Sequence, residues 1–106
     1  MRLSVYLPLN SQIGKLDSEQ IIHKFTTEIT KLFNGSSLYP NAIYGFWLNP
    51  KTKAIEKDTT SLLEVYLTRE DLNAKRTELG YLLHLVKSQL KQESLAYTID
   101  NDIFFL

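Results

Sequence analysis

The sequence predicts an α+β domain with the ferredoxin-like βαββαβ plan, in which two helices cover one face of an antiparallel four-stranded sheet. Residues 42–48 and 61–67 are rich in β-branched and aromatic residues, and a polar connection that begins with the turn 49–53 joins them. This arrangement is typical of a long hairpin. A stretch of helical apolar spacing flanks the hairpin on each side, and an extended run stands at each end of the chain. We therefore expect one domain over residues 1–106.

Composition and charge exclude several classes of protein. The chain has 106 residues and no cysteine, so it has neither a disulfide framework nor a thiolate zinc site or thiol nucleophile. Twelve basic residues balance twelve acidic ones without long blocks of either sign, and we therefore do not expect nucleic acid as a partner. No apolar run is long enough for a bilayer, and residues 3–9 are too short a run for a signal peptide. We expect a cytoplasmic protein without a membrane partner.

The first two elements follow from alternation and from helical spacing. Residues 3–7 alternate between apolar and polar, which predicts strand 1. Asp17, with Gln20 three residues later, has the pattern of a capping box and predicts the start of helix 1. The apolar stripe of this helix consists of Ile21, Ile22, Phe25, Ile29, Leu32 and Phe33. Residues 34–35, Asn-Gly, tolerate the left-handed conformation that ends many helices.

The hairpin strands differ in their patterns. Residues 35–41 are predicted to be a connector, and strand 2 at 42–48 is apolar on both faces, so the sequence leaves open which face meets the helices. Gly45 inside this strand suggests a bulge or a close approach by another group. Strand 3 alternates, with Leu63, Val65 and Leu67 on one face and Leu62, Glu64 and Tyr66 on the other.

The last third of the chain predicts a second helix and one or two strands. Thr68 with Asp71 has the form of a capping box. The apolar stripe that follows consists of Leu72, Leu79, Leu82, Leu83, Val86 and Leu90. Gly80 in the helix interior suggests tight packing. Residues 95–99 alternate as a strand, and residues 103–106 could add a short fifth strand.

The sheet face without helices is the predicted functional surface. The candidate ligand or interface residues are aromatic: Tyr6, Tyr44, Phe46, Trp47, Tyr66 and Tyr97. An apolar patch of this size is rarely left exposed to water, so we expect another molecule or another part of the fold to cover it. A homodimer with sheets packed face to face is one explanation. RNA bases stacked on the aromatics are a second, disfavoured because strand 3 lacks the basic-Gly-aromatic signature of such domains. A small-molecule cavity, between subunits or between sheet and helices, is the third.

The sequence contains no catalytic constellation, and only Glu64 is a candidate catalytic residue. It lies mid-strand among apolar neighbours, where a carboxylate needs a partner or a shifted pKa. His23 and His84 lack partners at metal-ligand spacing, and we expect neither a metal nor a cofactor. Glu56 and Asp58 lie among lysines and are read as a solvated cluster.

Two functions therefore stand side by side. The first is a non-enzymatic homodimeric module that binds a small ligand or a protein partner through its aromatic sheet face. The second is a small dimeric α+β barrel enzyme, similar in plan to cofactor-independent monooxygenases and isomerases. Its cavity would be lined by Tyr44, Trp47, Glu64 and Tyr66. The sequence leaves open whether the protein is an enzyme.

Several short motifs resemble those of a family of small bacterial proteins of unknown function. They are Phe25 with Glu28 and Leu32-Phe33-x-Gly35 in helix 1, Gly45-Phe46-Trp47 in strand 2, and Gln92-Glu93-Ser94-Leu95 before the last strand. The resemblance covers most of the chain and implies a ferredoxin-like domain. The family has no established catalytic residues, so none are transferred to this chain.

Overall fold

A computed structural model describes residues 1–10 and 12–106 of the chain. Over these residues the fold is α+β, with a five-stranded antiparallel sheet and three helices. The elements are β1 (Arg2–Pro8), α1 (Lys15–Phe33), β2 (Ser37–Leu48), β3 (Ile55–Tyr66), α2 (Arg69–Ala74), α3 (Arg76–Gln89), β4 (Ala96–Ile99) and β5 (Asp102–Phe105). The strands are ordered β2-β3-β1-β4-β5 across the sheet. The predicted α+β class is confirmed, but the structure has five strands and three helices where four strands and two helices were predicted.

The additional strand and helix have local causes. The C-terminal apolar run forms β5, which pairs with β4 across a two-residue turn, as the prediction of a fifth strand allowed. The predicted second helix is divided at Lys75, which has φ −116° and donates its backbone N–H to the Asp71 carbonyl. Before this break, the Thr68 side chain accepts a hydrogen bond from Asp71 N, and the predicted capping box is confirmed.

Helix α1 begins earlier than predicted. Its first residue is Lys15, its N-cap is Gly14 with φ 89°, and no side chain caps it, so the prediction of Asp17 as N-cap is wrong. Ser18 is buried, and its Oγ accepts a hydrogen bond from the backbone N–H of Asn10. This contact holds the first turn against the preceding loop without an acidic cap. The predicted C-cap is confirmed, since Asn34 has φ 67° in the left-handed region.

The core lies between one face of the sheet and helices α1 and α3. The odd-numbered residues of β1 and the end of β3 meet the apolar stripes of the two helices there. These residues are Leu3, Val5, Leu7, Leu63, Val65, Ile22, Phe25, Ile29, Leu79, Leu83 and Val86. The even-numbered residues of β1 and the partners they face on β3 and β4 therefore lie on the opposite face, which we call the open face.

The outer part of the β2–β3 hairpin, residues 42–58, is called the arm. Large apolar side chains are exposed on both of its faces, and the molecule measures 47 × 28 × 21 Å. The predicted turn is confirmed: Asn49 N donates to the Ala54 carbonyl and Lys53 N to the Asn49 carbonyl. These contacts make the arm an ordered hairpin with little apolar cover on either face.

The irregular backbone of β2 lies before the arm. The register shifts between Tyr39 and Ile43, where Asn41 has φ 53°, so the predicted connector is partly strand and the predicted bulge at Gly45 is wrong. A Cβ at Gly45 would meet only Asp58 Cβ, at 4.0 Å. A Cβ at Gly80 would meet nothing within 4 Å, so the prediction of tight packing there is also wrong.

Candidate functional site

The centre of the open face is polar. Ser4 lies opposite Glu64 on β3 and opposite Thr98 on β4, which forms a row of polar residues across three strands. Tyr6 and Tyr66 share this face, as predicted, on either side of that row. The expectation of a strongly aromatic open face is therefore wrong at its centre, because the strand alternation brings Ser4 and Thr98 to Glu64.

Glu64 lines a pocket where helix α1 ends against the sheet. The pocket has a volume of about 250 Å³ and is called the Glu64 pocket. Its lining consists of Phe33, Asn34, Gly35, Ser36, Ser37, Glu64 and Tyr66. Glu64 is half-buried, and no hydrogen bond or ion pair reaches its carboxylate from residues 1–10 or 12–106. A carboxylate in this position is available to a ligand.

The pocket wall follows from the way α1 stops. Phe33 is anchored in the core, and Asn34 in the left-handed conformation turns the chain away from the helix axis. Ser36 Oγ lies 2.7 Å from Thr30 Oγ1 on the last turns of α1, which fixes the short connection. Strand β2 then begins at Ser37, directly opposite Glu64. Small polar groups are thereby placed beside the carboxylate.

The chemistry of the Glu64 pocket suits a cationic ligand that also carries hydrogen-bonding groups. A carboxylate attracts positive charge, and the exposed ring of Tyr66 can accept a cation on its face. The connection at 34–37 supplies hydroxyl, amide and backbone groups for the polar parts of such a ligand. Glu64 was predicted from the sequence as a candidate catalytic residue, whereas residues 35–41 were predicted to be a connector.

The arm carries three of the predicted residues and lies far from Glu64. Tyr44 and Phe46 lie on one face of the arm, and Trp47 lies on the other face, opposite Glu56. Eight residues of strand separate Glu56 from Glu64, which corresponds to about 26 Å. The predicted cavity of Tyr44, Trp47, Glu64 and Tyr66 is therefore wrong within one chain, because the hairpin register extends β2 away from the pocket.

Tyr97 does not lie on the open face, and this expectation is also wrong. It pairs with Val5, so both side chains point toward the helices, and its ring stacks on Phe104 with centroids 5.2 Å apart. Successive side chains of the short β4 point to opposite faces of the sheet, as in any strand. Its pairing with β1 decides which of the two sets faces the helices. Ile103 and Phe105 of β5 are the exposed apolar residues that the sequence did not assign to this face.

The two histidines form no metal site in the part of the chain that the structure describes. His23 and His84 are both exposed. Within residues 1–10 and 12–106, no group of three His, Cys, Asp or Glu side chains is arranged to hold a metal ion. None of the helices in these ranges combines the length and hydropathy that a membrane span needs.

The structure also contains further hollows that the sequence did not predict. A shallow groove of about 560 Å³ lies between α1 and α3, where Leu32, Tyr81 and Leu82 form an apolar floor. Glu28 at its rim is paired with Lys31 at 3.5 Å. A smaller pocket lies at the register shift of β2. Neither could be read from the sequence, because both depend on how α1 packs against its neighbours.

Comparison with known proteins gives structural likeness only. No family model matches the chain, and no curated protein matches it. A phage SAM lyase in its apo state is similar over 99% of this chain and 86% of its own, with a TM-score of 0.66 and 14% identity. A phage SAM lyase in complex with S-methyl-5'-thioadenosine covers 99% of this chain and 87% of its own, with a TM-score of 0.58 and 13% identity. The chain therefore shares the fold of these lyase structures.

Proposed function

We propose that the protein is an enzyme that binds S-adenosylmethionine in the Glu64 pocket and cleaves it as a lyase. One observation carries the proposal: near the end of β3, a half-buried carboxylate with no partner among residues 1–10 and 12–106 lies in a pocket with an aromatic ring. The fold that presents this carboxylate is similar to that of phage SAM lyase, solved with S-methyl-5'-thioadenosine. Of the two functions predicted from the sequence, this one is the enzyme, with lyase chemistry in place of monooxygenase or isomerase chemistry.

The ligand matches the charges of the pocket. S-adenosylmethionine carries a positive sulfonium, a positive ammonium and a negative carboxylate, so its net charge is positive, and Glu64 is the negative group that faces the pocket. A cation over the exposed Tyr66 ring gains about 0.5–1 kcal/mol, a smaller contribution than the charge attraction in a partly desolvated site. The hydroxyl groups of Ser36 and Ser37 are available for the ribose and the base.

The cleavage breaks the bond between the sulfonium sulfur and the side chain of the amino acid. The sulfur keeps the bonding electron pair and becomes the neutral thioether of S-methyl-5'-thioadenosine. A carboxylate oxygen of the same four-carbon fragment attacks the carbon that the sulfur leaves and closes a five-membered lactone. Because the negative carboxylate is consumed, the fragment gains net positive charge, which its ammonium group carries. The Glu64 carboxylate favours this developing charge electrostatically, in a pocket that is partly shielded from water.

The direct test is product formation from S-adenosylmethionine. Purified protein should form S-methyl-5'-thioadenosine, detected by liquid chromatography and mass spectrometry, and the mass of the second product identifies the four-carbon fragment. Glu64→Gln keeps the size and removes the charge, so we expect the rate to fall by about 100-fold or more. Glu56→Gln is the matched control, because Glu56 lies on the same strand and accepts a hydrogen bond from Asn49 in the arm. A wild-type protein without product, or an active Glu64→Gln variant, contradicts the proposal.

A second candidate is a module that associates with copies of itself. Tyr44, Phe46, Leu48 and Ile55 form an exposed apolar stripe on one face of the arm. Such a stripe is unusual on a monomer. We propose a second copy as its cover, in a homodimer or a larger assembly, since the chain presents further exposed apolar residues, Ile103 and Phe105. This contact differs from the predicted face-to-face packing because the centre of the open face is polar.

The fold name and the location are also proposals. We infer a ferredoxin-like plan extended by β5, because the order β2-β3-β1-β4 is the one that a split βαβ arrangement gives. We infer a cytoplasmic location, which the lack of cysteine favours. Fractionation of cells that express the protein tests the location.

A further inference from the structure

We propose that Arg2 binds the carboxylate at the amino-acid end of S-adenosylmethionine, the end that carries the ammonium and the carboxylate. This inference rests on the proposed function and adds a binding residue to it. Arg2 belongs to β1, lies directly opposite Tyr66 of β3, and does not line the Glu64 pocket itself. Residues 34–37 lie on the β2 side of β3, so Arg2 and that connection flank Glu64 from opposite sides.

The pairing of β1 with β3 brings Arg2 close to Glu64. Met1 and Leu67 exchange two main-chain hydrogen bonds, at 2.7 and 3.0 Å. The next pair, Arg2 and Tyr66, is therefore a non-hydrogen-bonded pair, in which side chains lie closest together. Glu64 is the diagonal neighbour of Arg2 on the open face, and such neighbours are about 7–8 Å apart. The long arginine side chain spans a gap of this size, so its guanidinium reaches a ligand held at Glu64.

The backbone of Arg2 is fixed, whereas its guanidinium has no partner in the described part of the chain. Asp100 Oδ1 accepts a hydrogen bond from Arg2 N at 2.9 Å, and Asp100 N donates to the Arg2 carbonyl at 2.8 Å. Arg2 is exposed, and its guanidinium forms no hydrogen bond or ion pair with residues 1–10 or 12–106. The Asp100 carboxylate is thus used by the backbone, and the N–H donors of the guanidinium remain for an anion.

The charges of Glu64 and Arg2 are complementary to the two charges of the amino-acid end. This end has an ammonium and a carboxylate on one carbon, so it needs a negative and a positive partner close together. Glu64 is the negative group of the pocket, and Arg2 is the positive group on the neighbouring strand. Charge complementarity therefore directs the ammonium to Glu64 and the carboxylate to Arg2, which suits the planar pairing of guanidinium with carboxylate.

The strand spacing fits the size of the amino-acid end. Its carboxylate carbon is four bonds from the sulfonium sulfur and so lies within about 5 Å of it. Adjacent strands are about 4.7–4.9 Å apart, so a sulfonium held over Glu64 and Tyr66 places the carboxylate within reach of β1. Ser4, the neighbour of Arg2 on this face of β1, is small, so no bulky side chain separates the two charges.

Arg2 also suits the closure of the lactone. A carboxylate has about four lone-pair sites, and a guanidinium that donates two parallel hydrogen bonds occupies two of them. Each oxygen keeps a lone pair, so one of them can attack the carbon that the sulfur leaves. Arg2 thereby holds the attacking group next to the sulfonium without changing the bonds that form and break.

The test compares two ligands that differ at the amino-acid end. S-adenosylhomocysteine has the ammonium and the carboxylate, and S-methyl-5'-thioadenosine has neither. Isothermal titration calorimetry gives the affinity of each ligand for the wild type and for Arg2→Gln, which removes the charge. We expect Arg2→Gln to weaken S-adenosylhomocysteine about tenfold or more and to change S-methyl-5'-thioadenosine by less than about twofold. Arg76→Gln is the matched control and should change neither affinity, because Arg76 lies in α3 and donates to Asn73 Oδ1 at 3.2 Å.

The outcomes separate this inference from the proposed function. An equal loss for both ligands makes Arg2 a structural residue, and an unchanged affinity for S-adenosylhomocysteine shows that Arg2 does not contact the carboxylate. Either result overturns the inference while the proposed function stands, and so does a wild type that binds the two ligands equally well. A wild type that binds neither ligand contradicts the proposed function, and the role of Arg2 falls with it.

Discussion

Replacing the charge of Glu64 should make the protein more stable while it abolishes function. The carboxylate is half-buried, lies near the end of β3 opposite Ser4 and Ser37, and has no hydrogen-bond or ion-pair partner in the described ranges. A carboxylate that is kept for a ligand destabilises the ligand-free protein, because folding removes part of its hydration and no protein group replaces the lost hydrogen bonds. A carboxylate that stabilises the fold would instead have hydrogen-bond or ion-pair partners, and its replacement would lower the stability.

The size of the effect follows from the burial of Glu64. An unsatisfied buried polar group costs about 1–3 kcal/mol, and more if it is charged. Glu64 keeps part of its hydration, and the glutamine amide recovers part of the remainder, so we expect Glu64→Gln to raise the free energy of unfolding by about 1 kcal/mol. For a domain of this size, about 1 kcal/mol corresponds to a rise in Tm of about 4–8 °C.

The assay is thermal unfolding followed by circular dichroism, at one protein concentration for all variants. Glu56→Gln is again the matched control, because Glu56 accepts a hydrogen bond from Asn49 Nδ2 at 3.2 Å. Its Tm should rise by no more than about 2–4 °C or should fall, since surface changes are worth about 0.5 kcal/mol or less. A fall in Tm of several degrees for Glu64→Gln would refute the reasoning and make Glu64 a structural residue.

Three further predictions concern the core, a helix cap and the arm. Leu63→Ala, at a fully buried position, should lower the free energy of unfolding by about 2–5 kcal/mol in urea unfolding, and a loss under about 1 kcal/mol would contradict the assigned core. Thr68→Ala removes the cap of α2 and should cost about 1 kcal/mol, whereas Thr68→Ser should cost much less; equal losses would mean that the hydroxyl has no capping role. Phe46→Glu, at a side chain that is 68% exposed, should leave the Tm of a monomer unchanged but reduce the molar mass in light scattering from a multiple of 12.3 kDa to a single chain. Wild-type protein that is monomeric at all concentrations would contradict self-association, and Asp58→Lys, an exposed charge change on the opposite face of the arm, serves as the control.

Periodicity predicted the parts of the fold in which one face is buried. The alternation of Leu3, Val5 and Leu7 placed β1 in the core, and all three are fully buried. The apolar stripe of α1 was predicted correctly for the same reason. The cap at Asn34 was predicted because asparagine tolerates the left-handed conformation. The start of α1 was not, because a capping-box pattern at Asp17 competes with the Asn10–Ser18 contact, which depends on the loop conformation.

The candidate site could be predicted only in part. Glu64 stood out because a charged residue lay in an apolar strand, but its neighbours at 34–37 reach it through the packing of the α1 terminus. Tyr97 was misplaced because a four-residue strand carries no signal for which set faces the helices. The bulge at Asn41 was missed because asparagine in the left-handed conformation is read from sequence as an ordinary loop residue.

The arm also makes the chain prone to aggregation when nothing covers it. Its outer strand, residues 42–48, has no charged residue or proline and lies at an edge of the sheet, which are properties of segments that form cross-β aggregates. Lys57, whose Nζ lies 4.2 Å above the Tyr44 ring, and the acidic residues beside it are the charges that oppose such stacking. If a second copy covers the arm, each tenfold dilution weakens that protection through mass action. Aggregation would then begin from the dissociated chain, and a pH or salt concentration that neutralises or screens these charges would favour it.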